Sequence, residues 1–63
     1  MTQKELLYVE DAIMHENNII NICEDMVNTL DNDELSDFID NEIGIHTGIR
    51  ENLMSLLEAK LDE

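Results

Sequence analysis

Three residues of this 63-residue chain have the types and spacing for site chemistry: Glu16, Glu42 and His46. They interrupt stretches in which the positions that would face a helix-bundle core are mostly aliphatic. A charged group in such a position is costly unless it is paired or coordinates a metal. Because imidazole and carboxylate ligands suit iron, manganese or zinc, these three residues are the candidate metal ligands of the chain.

Two interpretations of these residues remain open. They could bind a metal, or they could form a polar layer that fixes the oligomeric state through hydrogen bonds at some cost in stability. Glu42 and His46 are four residues apart and share a helix face, so chelation is feasible. The di-iron and di-manganese bundles, however, use a Glu-x-x-His motif, which this spacing does not match.

The sequence offers no separate nucleophile and no evident substrate pocket. We therefore predict that the chain is not an enzyme and requires no cofactor. Redox chemistry at a di-metal centre is the one activity that these residues leave open.

Two long amphipathic helices are predicted to position the three residues. The chain has no proline and only two glycines, so little interrupts a helix. Thr2 and Glu5 have the spacing of a capping box, which predicts where the first helix begins. The predicted helices cover residues 3–30 and 34–60, and residues 31–33 form a turn in which Asp31 or Asp33 caps the second helix.

The core-facing positions of each predicted helix recur every three or four residues. In the first helix they are Leu6, Val9, Ile13, Glu16, Ile20, Cys23, Val27 and Leu30. In the second helix they are Leu35, Ile39, Glu42, His46, Ile49, Leu53, Leu56 and Lys60.

A turn this short makes the two helices antiparallel, and residues at equal height then have numbers that sum to about 63. Glu16 should therefore lie opposite His46, with Glu42 one helical turn away. Two helices cannot cover apolar stripes this wide by themselves. The predicted fold is all-α, a single domain over residues 1–63, in which the hairpin dimerises into a four-helix bundle.

Composition excludes several classes of partner. The chain has 16 acidic and 3 basic residues and a formal net charge of −13, which disfavours nucleic acids and anionic membrane surfaces. No apolar run is long enough to span a membrane, and the N-terminal residues lack the pattern of a signal peptide. The single cysteine, Cys23, cannot form an intramolecular disulfide. These features predict a cytoplasmic protein.

Two segments resemble the spore coat protein F-like family. They are Leu6-Leu7-Tyr8-Val9-Glu10-Asp11-Ala12 with His15-Glu16, and the second helix from Asp33-Glu34-Leu35 through His46 to Leu53-Met54-Ser55-Leu56-Leu57. The resemblance implies a ferritin-like helical bundle and a structural role in the spore coat, where other coat-type proteins would be partners. It implies no catalytic residues. The chain departs from a full bundle by having two helices where four are expected.

Three functional hypotheses follow. The first is a small structural protein that resembles spore coat proteins and acts through self-association. The second is a ferritin-like metal-binding or redox protein that uses Glu16, Glu42 and His46. The third is an acidic adaptor for a basic partner.

Overall fold

The computed structural model describes residues 1–61, which form an all-helical hairpin. Helix α1 spans Gln3–Thr29 and helix α2 spans Asp33–Leu61. The two helices lie side by side and give the molecule Cα dimensions of 47 × 15 × 11 Å. The predicted hairpin is confirmed, and each helix ends within one residue of its predicted bounds.

A capping box begins α1, as predicted. The backbone N–H of Glu5 donates to the hydroxyl oxygen of Thr2 at 3.1 Å, and the N–H of Thr2 donates to the Glu5 carboxylate at 2.7 Å. The hydrogen bond from the Thr2 backbone lowers the pKa of Glu5 below its ordinary value. The stabilisation from this charge is therefore present above the ordinary value and is lost as pH falls through the lowered pKa.

Asn32, in the turn between the helices, caps the N-terminus of α2. Its side-chain oxygen accepts from the N–H of Leu35 at 2.9 Å, and its backbone oxygen accepts from the N–H of Ser36 at 2.9 Å. The prediction that Asp31 or Asp33 would cap α2 is wrong, because α2 begins one residue earlier than expected. Asp33 instead lies in the first turn, where its charge suits the positive end of the helix.

The inner face of α1 is the predicted one. All eight of its predicted core-facing positions are buried or half-buried. Ile20 and Cys23 of α1, together with Ile39 of α2, are the buried apolar core among residues 1–61. This is a small core for a chain of such length.

The inner face of α2 is rotated from the predicted one. Leu35, Ile49 and Leu56 were expected to face the core, but they are exposed. Ile43 and Leu57, each one residue after a predicted core-facing position, are half-buried. The buried or half-buried positions of α2 that recur every three or four residues along its inner face are Ser36, Ile39, Ile43, His46, Arg50, Leu53, Leu57 and Lys60. Glu42, Thr47 and Gly48 are also half-buried.

The apolar positions left uncovered form a second seam on each helix. Each position of a second seam is one residue earlier in the sequence than a position of the inner face of the same helix. The second seam is therefore rotated by about 100° from the inner face. Because the helices run antiparallel, the same rotation brings both second seams to the same side of the hairpin. We call this side the exposed apolar face, and its large apolar residues are Tyr8, Ile22 and Met26 of α1 and Leu35, Phe38, Ile45, Ile49 and Leu56 of α2.

The opposite side of the hairpin is more polar, with Leu7, Met14 and Met54 as exposed apolar residues among polar ones. There the guanidinium of Arg50 donates to the side-chain oxygen of Asn17 at 2.9 Å and links the two helices. Neither helix of the described residues is long and apolar enough to cross a membrane.

Candidate functional site: a central Glu-His-Glu layer

The candidate site lies halfway along the hairpin. Glu16 is the central residue of α1, and His46 is one residue from the centre of α2. His46 Nδ1 lies 2.5 Å from Glu16 Oε2, which confirms the predicted opposition of these residues. A carboxylate oxygen only accepts, so a hydrogen bond at this distance requires the proton to be on Nδ1.

Both members of this pair are largely shielded from water. The side chain of Glu16 is 16% exposed and that of His46 is 23% exposed. The bond joins the two helices at mid-length and holds the imidazole ring at a fixed orientation. The other ring nitrogen, Nε2, is thereby directed away from Glu16.

Glu42 approaches the imidazole from the other edge. Its Oε2 is 3.8 Å from His46 Nε2, which is too long for a hydrogen bond. The Glu42 side chain is 33% exposed, and its position in the sequence falls on the second seam of α2. Glu42 therefore lies between the core of the hairpin and the exposed apolar face.

The structure thus brings the three predicted ligands together, but not around a single point. Glu16 and Glu42 flank opposite nitrogens of one imidazole ring. Among residues 1–61, no group of three or more His, Cys, Asp or Glu side chains is arranged to hold a metal ion. Within one chain the arrangement resembles the polar layer more closely, and metal binding by these residues stays a prediction.

The neighbouring candidates do not join this layer. His15 is exposed. Cys23 is a free, buried thiol and behaves as a small apolar residue. Sequence reasoning expected apolar stripes too wide for two helices to cover, but it did not place the uncovered residues of both helices on one side of the hairpin.

Comparisons of this chain with models of protein families, with curated proteins and with solved structures found no match. The functional argument therefore rests on the geometry of the hairpin and on its sequence.

Proposed function

We propose that this chain is a small structural protein that acts through self-association, with two hairpins forming an antiparallel four-helix bundle. The observation that carries the proposal is the exposed apolar face. Among residues 1–61 the hairpin buries three apolar side chains, whereas eight large apolar side chains are exposed on this face. Contiguous apolar patches on soluble proteins usually mark interaction sites.

The size of this face suits a stable interface. The broad side of the hairpin measures 47 × 15 Å between Cα atoms. That is comparable with the area of about 800 Å² that each partner buries in a standard protein interface. A chain of this length also has too small a core to be stable without a further stabilising interaction, such as association with a second copy.

The pattern of the face favours a second copy of the chain as its occupant. Its apolar residues recur at three- and four-residue intervals on two helices, which is the spacing that packs one helix against another. Tyr8 of α1 and Leu56 of α2 line the same shallow groove, so the face is continuous across the two helices. Two such faces are complementary to each other, as the four-helix bundle requires.

Sedimentation equilibrium of the native chain, of Ile45→Glu and of Met54→Glu tests the proposal. Ile45 is 48% exposed on the apolar face, and Met54 is 44% exposed on the polar side of the same helix. Both substitutions add the same charge to the same helix. We expect the native chain and the Met54 variant to be dimers. The dimer dissociation constant of the Ile45 variant should be at least about tenfold higher, because a charge is desolvated at the interface.

Three results would contradict the proposal: a folded native monomer, equal weakening by both substitutions, or stronger weakening by the substitution at Met54. Circular dichroism over the same concentration range detects unfolding that accompanies dissociation. If the monomer unfolds, helicity falls on dilution and does so at higher concentration for the Ile45 variant.

A role in the spore coat is supported by the resemblance of both helices to the spore coat protein F-like family, in which other coat-type proteins would be partners. An antibody against the chain, applied to fractionated spores, tests this part. Detection in the coat fraction is the expected result, and its absence from spores that express the chain would overturn the coat role while leaving self-association intact.

A further inference from the structure

We propose that a second copy of the chain completes a divalent cation site, in which Glu42 and His46 Nε2 of each protomer are the four ligands. The proposal rests on the self-association proposed above. It assigns to the central layer a ligand set that one chain does not provide.

The position of the layer brings two copies of it together. A two-fold axis perpendicular to the helices maps the middle of the hairpin onto the middle of its partner. Glu16 and His46 lie at the middle of their helices. The second hairpin would therefore present its own Glu42 and His46 at the same level of the bundle.

The distribution of charge favours this axis over one parallel to the helices. The turn region contains four acidic residues, Asp31, Asp33, Glu34 and Asp37. A parallel axis would place both turns side by side, where these charges repel each other. A perpendicular axis places the turns at opposite ends of the bundle, which separates the two acidic regions.

The hydrogen bond of Glu16 prepares His46 for a metal. A carboxylate that accepts from one imidazole N–H fixes the tautomer and leaves the lone pair of the other nitrogen free to coordinate. Here Glu16 engages Nδ1, so the lone pair of a neutral imidazole would be on Nε2. Glu16 is a positioning residue in this site, and Glu42 and His46 are the ligands.

The spacing of Glu42 and His46 is close to that of two ligands of one ion. Their Oε2 and Nε2 atoms are 3.8 Å apart. Two ligands at about 2.05 Å from a tetrahedral zinc ion are about 3.4 Å apart, so a small side-chain rotation brings both into range. Two imidazoles and two carboxylates in a tetrahedral arrangement suit Zn²⁺ or Co²⁺.

The cation would also offset the repulsion between the two Glu42 carboxylates of the proposed dimer. Glu42 lies at the edge of the apolar face, so its carboxylate would meet the same group of the partner in partly desolvated surroundings. Two like charges there oppose association. A divalent cation between them turns that repulsion into attraction and makes association stronger when the metal is present.

Titration of the chelator-treated native chain with Co²⁺ and Zn²⁺ tests the site at neutral pH. We expect the visible absorption of tetrahedral Co²⁺, saturation at about one ion per two chains, and at least about tenfold tighter dimerisation in sedimentation experiments with Zn²⁺ than with chelator. Glu42→Gln and His46→Gln should lose all three effects. Glu51→Gln, which changes an exposed residue of the same helix on the side opposite the apolar face, should keep them.

Glu16→Gln separates positioning from coordination. It should keep the stoichiometry and weaken metal affinity by about tenfold to 100-fold, as changes to such orienting partners do. An unchanged affinity in this variant would overturn the positioning role.

The outcomes also separate this proposal from the one it rests on. A dimer that forms equally well with chelator and with metal, and shows no tetrahedral Co²⁺ absorption, would overturn the cation site and leave self-association standing. One ion per monomeric chain would overturn the two-copy site. A chain that is a folded monomer with and without metal would overturn both proposals.

Discussion

Glu16 and His46 connect the two helices with a hydrogen bond where the surrounding inner positions are mostly apolar. Such a pair contributes little net stability, since each group gives up water to form it. Its value lies in specificity. It sets the height at which α1 meets α2, and in the proposed dimer it would also set the height at which two hairpins meet.

Replacing Glu16 and His46 by apolar residues tests whether the pair contributes net stability. We expect Glu16→Leu and His46→Leu each to lower the free energy of unfolding by about 1 kcal/mol, because each leaves one partly buried polar partner without its bond. The double substitution should restore at least the native stability, since apolar residues of suitable size can replace a buried polar pair without loss. Urea unfolding at one fixed chain concentration, with chelator present, measures all four proteins.

A double variant that is less stable than either single variant would contradict this expectation. It would show that the layer is a net source of stability and not a device for alignment. The chelator removes any contribution from metal, so the comparison reports on the hydrogen bond alone.

At the scale of the helices, α2 contains two glycines that its structure does not require. Gly44 and Gly48 both have helical backbone without positive φ, and a Cβ atom at either position would meet nothing within 4 Å. We expect Gly44→Ala and Gly48→Ala each to raise the free energy of unfolding by about 0.5–1 kcal/mol, because alanine loses less conformational freedom in a helix. Thermal unfolding followed by circular dichroism measures the effect.

A loss of stability at either glycine would indicate that another helix packs closely there in the assembled protein. Measuring the unfolding of both variants at chain concentrations above and below those at which the dimer dissociates distinguishes the two cases. A gain at all concentrations means that this side of α2 is free, whereas a loss only in the assembled state identifies it as a contact surface.

The elements also show where sequence reasoning succeeds. The capping box at Thr2 and the inner face of α1 were predictable, because seven of the eight positions on that face are apolar and they recur in step with the helix period. The opposition of Glu16 and His46 followed from the length of the turn alone. All of these depend on local spacing or on chain length.

The face of α2 could not be chosen in the same way. This helix has two adjacent apolar seams, and periodicity does not say which one packs against α1. The observed inner seam includes Arg50 and Lys60, whose long stems can pack while their charged ends reach water. The position of Glu42 relative to Glu16 depends on this rotation, so the sequence did not reveal that the two carboxylates flank opposite edges of the ring.

On the scale of the whole molecule, two opposing properties govern association. The exposed apolar face favours a second copy, while a net charge of −13 on each copy opposes it. Salt screens the repulsion over a Debye length of about 8 Å at physiological ionic strength and leaves apolar burial largely unchanged. The dimer should therefore be tighter at higher salt.

This dependence separates self-association from the acidic adaptor. Binding of a basic partner is driven by attraction between opposite charges, so it weakens as salt is added. We expect the dimer dissociation constant from sedimentation equilibrium to fall severalfold when NaCl is raised from about 0.02 M to about 0.5 M, a range over which the Debye length shrinks to a few ångströms.

Isothermal titration with a lysine-rich peptide over the same range of NaCl concentration provides the comparison. A dimer that weakens with salt would show that ion pairs and not the apolar face hold it together, and tight peptide binding that displaces the second copy would favour the adaptor.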